Sequence, residues 1–115
     1  MNRIYLFPAS LAFTLAASLA CAAGETITVK VKSLSYDPKV VEAQVGDTVV
    51  WSNSSLTKHT ATSDDDGKTF DTAEIKPDET SPPVKFEKAG EFNYHCKVHG
   101  KSMSGTIVVK AALRS

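Results

Sequence analysis

The stretch Glu91-Phe92-Asn93-Tyr94-His95-Cys96-Lys97-Val98-His99-Gly100-Lys101-Ser102-Met103 decides how this chain is read. Its first half alternates. Phe92, Tyr94 and Cys96 share one face while Glu91, Asn93 and His95 share the other, the period-two pattern of a strand with one buried side. Alternation therefore delivers the Cys96 side chain to the core side of a sheet end and turns His95 away from it. The second half sets Cys96, His99 and Met103 at the spacing C-x2-H-x3-M, so a thiol, an imidazole and a thioether meet on one tight loop after a strand.

Working outward, the chain reads as strands punctuated by turns, with no helix-period segment. Ile27, Val29 and Val31 alternate with Thr28, Lys30 and Lys32, a half-buried strand from Thr26 to Lys32. Leu34-Ser35-Tyr36-Asp37-Pro38 bends the chain, since Pro38 restricts Asp37 to extended or turn conformations. Val40 to Val45 resumes an apolar strand, Gly46-Asp47 turns it, and Thr48 to Ser52 follows with Trp51 as a core residue. Residues 53–83 are polar and irregular, a connection long enough to need a functional reason. Phe70 and Ile75 are expected to pin it to the body. Val84 and Phe86 mark another strand, Ala89-Gly90 a turn, and Gly105 to Lys110 a closing strand. Strands of this length and spacing predict an all-β domain, an antiparallel sandwich or Greek-key barrel of about seven to eight strands.

Residues 1–23 differ from the remainder. Arg3 is the only charge, an apolar run covers about Ile4 to Ala20, and small residues follow. This reads as a secretory signal peptide cleaved near residues 22/23, leaving a single domain at 24–115. A membrane anchor and lipidation at Cys21 are the minor alternatives. The 13 acidic residues then face 12 basic ones once Arg3 is set aside, a balance that excludes a strongly electrostatic nucleic-acid binder. After export Cys96 is the only cysteine left, so no internal disulfide can form. Metal ligation is the most economical reason for an unpaired thiol in an oxidising compartment.

His59 can supply a second imidazole from another strand end. Two histidines and a thiolate, with a weak axial methionine, are the donors of a blue-copper electron-transfer centre. Zinc also accepts a Cys-His-His set, but a methionine in fourth place favours copper. His95 is read as structural or solvent-facing.

The runs Phe92 to His99, Met103 and Gly105-Thr106-Ile107-Val108-Val109 resemble the C-terminal signature of the small type 1 copper proteins, the cupredoxins. Val45-Gly46-Asp47-Thr48-Val49-Val50-Trp51-Ser52-Asn53 followed by His59-Thr60 resembles the segment carrying their first histidine. The style is that of plastocyanin, amicyanin and pseudoazurin. The resemblance implies a Greek-key β-sandwich, one copper ion cycling between Cu(I) and Cu(II), His59, Cys96 and His99 as strong ligands and Met103 as the axial one. Three positions depart from the pattern. Three residues separate His99 from Met103, Lys97-Val98 replaces a proline-containing pair, and Thr60 stands where asparagine is usual, so the hydrogen bond steadying the ligand loops must come from a hydroxyl or another group.

These readings converge on a monomeric, non-enzymatic periplasmic electron carrier that exchanges single electrons with redox proteins and has no membrane span after processing. A periplasmic copper carrier or buffer is the alternative. Three histidines in the whole chain cannot build the extra copper cluster that oxidase chemistry requires. Lys58, Lys97 and Lys101 lie beside ligands in sequence and are expected to steer an acidic partner to that end.

Overall fold

The computed structural model describes residues 24–112. The leader-like segment 1–23, with Cys21 and the cleavage site read into it, lies outside the described residues. Eight strands follow one another: β1 (Thr26–Val31), β2 (Tyr36–Asp37), β3 (Val40–Gln44), β4 (Thr48–Asn53), β5 (Thr62–Ser63), β6 (Val84–Lys85), β7 (Gly90–Cys96) and β8 (Gly100–Lys110). They form two four-stranded sheets, ordered β2-β1-β4-β6 and β3-β8-β7-β5. The described residues contain no helix.

Alternation decides what each sheet buries. Val29 and Val31 of β1 and Val49 and Trp51 of β4 face inward from one sheet. Val41 and Ala43 of β3, Tyr94 and Cys96 of β7, and Met103, Ile107 and Val109 of β8 face them from the other. Trp51 lies at the centre, stacked on Phe70 at 5.5 Å and edge-on to Tyr94 at 5.4 Å between ring centroids. Phe70 and Ile75 are buried as expected and tie the long polar connection to this core.

The sheets are mixed. Pairings β1·β2, β4·β6, β5·β7 and β7·β8 are antiparallel, as expected, whereas β1·β4 and β3·β8 run parallel. The physical reason is the crossover: β3 lies in one sheet between β1 and β4 of the other, so the chain leaves and re-enters in the same direction.

The closing strand is longer than its apolar pattern suggests, beginning at Gly100 instead of Gly105. Gly100 has φ +75°, a left-handed conformation that glycine adopts at little cost. The chain can therefore reverse directly after His99, and Cys96 pairs with Gly100 across an irregular register at His95/Cys96. Met103 consequently sits on a strand and not on a free loop.

Candidate metal centre

The site forms where the end of β7 meets the segment leading into β5. Period-two alternation turns Cys96 inward, fully buried, and the reversal at Gly100 brings His99 back over it. His59 is held from the other side by a two-way backbone pairing with Ile75, whose N–H donates to the His59 carbonyl at 2.7 Å and whose carbonyl accepts from the His59 N–H at 3.2 Å. Thr62 and Ser63 then pair with His95 and Tyr94, which fixes the His59 segment against the strand carrying Cys96.

Both imidazoles present Nδ1 to the thiol. His59 Nδ1 lies 3.7 Å and His99 Nδ1 3.6 Å from Cys96 Sγ, and the three donor atoms lie within 4.8 Å of one another. A metal about 2.3 Å from sulfur and about 2.0 Å from nitrogen separates such atoms by roughly 3.5–3.7 Å at tetrahedral to trigonal angles. Both sulfur–nitrogen separations therefore match one shared ion, and the two imidazole nitrogens, within 4.8 Å of each other, would close on it when it binds. Burial, together with the neighbouring His99, lowers the pKa of His59, which favours the neutral imidazole that ligation requires. If Nδ1 offers its lone pair to a metal, Nε2 carries the proton and donates to Thr57 Oγ1, 3.1 Å away.

Met103 is fully buried in the hydrophobic core to which Cys96 also belongs. His95 is not part of the group. Its Nδ1 lies 2.6 Å from Asp64 Oδ1 on the outward face, as alternation requires. His59 and Cys96 are buried and His99 is partly exposed.

Thr60 takes up the bracing expected of a hydroxyl. Its N–H donates to Cys96 Sγ at 3.4 Å, and its Oγ1 accepts the Lys97 N–H at 2.9 Å. Thr57, Thr62 and Asp71 were not evident from local spacing as parts of the site. The one signal available was that Thr60 and Thr62 fall on the same face of an extended segment. Lys58 and Lys97 each bring an acid with them, Glu74 at 3.2 Å and Asp71 at 2.8 Å, so two of the three lysines near the site are charge-compensated.

Comparison with known proteins agrees with this geometry. Chloroplast plastocyanin of Tetradesmus obliquus is 31% identical over 87 residues, covering 68% of this chain and 60% of the plastocyanin. This chain thus spans about 60% of that relative's length. An oxidized amicyanin variant superposes with a TM-score of 0.66 at 25% identity, over 73% of this chain and 81% of its own. A Cu-containing nitrite reductase from Thermus scotoductus superposes at 0.67 with 30% identity, over 76% of this chain but 23% of the reductase. A family model described as a cupredoxin-like domain matches residues 5–109. With that match over most of its length, two facing four-stranded sheets and a buried His-Cys-His cluster at one end, the chain belongs to the cupredoxin-like family.

Proposed function

We propose that this chain is a periplasmic type 1 copper protein that carries single electrons between redox proteins. The convergence of His59 Nδ1, Cys96 Sγ and His99 Nδ1 supports the reading most directly. These three residues would hold the ion strongly, with Met103 as the weak axial donor. Bound copper supplies a one-electron couple.

The chain's own residues do the rest. The strand ends fix the ligands, so little has to move when the charge at the centre changes. Burial of His59 and Cys96 keeps water away. His99, the partly exposed ligand, is the exit point, because an edge near the surface shortens the path to a partner. Val98, 47% exposed, and Leu56, 94% exposed, adjoin His99 and Thr57 in sequence and leave apolar surface for a transient contact. Lys101 adds positive charge on the same turn, while the Glu74 and Asp71 pairings weaken the steering that Lys58 and Lys97 would otherwise give. The leader-like run at 1–23 supports export.

The nitrite reductase relationship does not carry catalysis to this chain, which spans 23% of that enzyme. Among the described residues one His/Cys cluster with metal-holding geometry is present. Adding Cu(II) to purified residues 24–115 is expected to give a strong thiolate-to-copper absorption in the visible range and a reversible one-electron couple. Absence of the absorption would sink the copper reading. Copper uptake without a reversible couple would favour a carrier or buffer of the metal.

A further inference from the structure

We infer that Asp71 is a positioning residue for the metal centre: through the hydroxyls of Thr62 and Thr60 it fixes which way their protons point, and so clamps the His59 segment to the turn carrying Cys96 and His99. The contacts close a ring. Asp71 Oδ2 receives the Lys97 ammonium at 2.8 Å, Asp71 Oδ1 receives the Thr62 hydroxyl at 3.0 Å, Thr62 Oγ1 and Thr60 Oγ1 are 2.9 Å apart, and Thr60 Oγ1 receives the Lys97 N–H at 2.9 Å.

The direction of this relay follows from donor counting. An ionised carboxylate only accepts, so the Thr62 proton must point at Asp71. Thr62 Oγ1 then has only lone pairs left for Thr60, whose proton must point at Thr62. That leaves a Thr60 lone pair facing the Lys97 N–H, which is the group that needs an acceptor. A backbone N–H always donates, so the ring is consistent at both ends. The ionised state is supported by the surroundings. Burial alone would push the Asp71 carboxyl up, but hydrogen bonds from Lys97, the Ala73 N–H and Thr62 outweigh it and hold the group below its usual range.

The consequence reaches the ligands because Thr60 is bonded at both its ends. Its N–H meets Cys96 Sγ while its hydroxyl holds the residue after Cys96. The effect on a copper centre rests on the function proposed above; the relay itself does not.

Thr62→Val tests the middle link at nearly constant volume and unchanged charge, leaving the Lys97–Asp71 pair in place. In metal-free protein the amide of residue 97 is expected to exchange with solvent roughly three- to tenfold faster, the effect of one lost hydrogen bond. In the copper-loaded protein the reduction potential is expected to fall, since a less firmly held Thr60 N–H leaves the sulfur a better donor. Thr62→Ser should restore both. Lys97→Met, which removes the ammonium but keeps the backbone N–H and the hydroxyl relay, should leave the residue 97 amide protected. Wild-type exchange or wild-type potential in Thr62→Val, or no rescue by Ser, would overturn the inference. If even the wild-type protein took up no copper, the proposed function would fall, and the amide measurement on metal-free protein would still decide the relay.

Discussion

Gly105 on β8 faces Tyr94 on β7, and a Cβ built there would stand 2.6 Å from the Tyr94 hydroxyl and ring end. Tyr94 is fully buried and set edge-on against Tyr36 and Trp51, so its ring has nowhere to swing. Gly105→Ala is expected to lower stability by about 1–3 kcal/mol, the usual cost of overpacking, seen as a lower urea midpoint at unchanged slope. A wild-type midpoint would refute it. Met103 poses the opposite case, since its volume is easily replaced but its sulfur is not. Met103→Leu should cost less than about 1.5 kcal/mol in the fold while raising the reduction potential, because losing a weak donor favours Cu(I). An unmoved potential would place Met103 off the metal. Asp71 adds a pH dependence whose sign is fixed by its depressed pKa. The unfolded chain takes up this proton first as pH falls, so the contribution is complete above the unfolded carboxyl's value and is lost as pH drops through the folded one. The stability difference between wild type and Asp71→Asn should therefore narrow as pH falls from above the ordinary carboxylate range to below it. A difference that stayed constant or widened would contradict this.

Elements with local alternation were legible in the sequence: β1, β3, β4 and β7 lie within a residue or two of their patterns, because each buries one face of a regular strand. Parallel pairing of β1 with β4 and of β3 with β8 was not, since pairing direction depends on which sheet the intervening strand joins and leaves no local trace. The start of β8 was hidden for another reason. Lys101 and Ser102 are exposed at the mouth of the site, so residues 100–104 lack the apolar alternation that betrays a strand. Cys96 and His99 were legible as ligand candidates from chemistry and spacing and His59 only from the logic of the fold, whereas their bracing was not, because Thr57, Thr62 and Asp71 act through contacts that only the folded chain makes. Residues 53–83 make the same point, being shaped largely by side-chain hydrogen bonds. Asn53, at the end of β4, donates to the carbonyls of Thr57 and Ile75, both at 2.8 Å, and accepts from the Ser55 N–H and hydroxyl at 2.9 and 2.8 Å. All of its amide is used, and one of its partners, Ile75, is the residue paired with His59. Asn53→Ala is expected to cost about 2–4 kcal/mol, since several partners lose their bonds and one of them is buried. It should also weaken metal uptake more than Gly105→Ala does. Equal uptake in the two variants would show that the connection holds His59 without Asn53.

At the scale of the whole molecule the metal site is a clasp between two parts of the chain that meet only on folding. His59 arrives on the connection after β4, and Cys96 and His99 arrive on the β7–β8 turn. In the unfolded chain His59 lies 37 positions from Cys96, so an ion that needs all three binds the native state far better. Free ligand at about 1,000 times its dissociation constant adds about 4 kcal/mol to the unfolding free energy. For a domain of this size each kcal/mol moves the thermal midpoint by roughly 4–8 °C, so saturation is expected to raise it by on the order of 15 °C or more. Cys96→Ser should abolish most of that gain, because serine keeps the shape of the site without the soft donor. Zinc provides a further discriminating arm. It fits the same nitrogen and sulfur donors and should also raise the midpoint, but it has no redox change to offer. Thermal stabilisation by both ions with a reversible couple for copper alone is the pattern expected of this sandwich. A copper-loaded midpoint no higher than the metal-free one would mean that the two segments are not joined through the ion, whatever their separation in the folded chain.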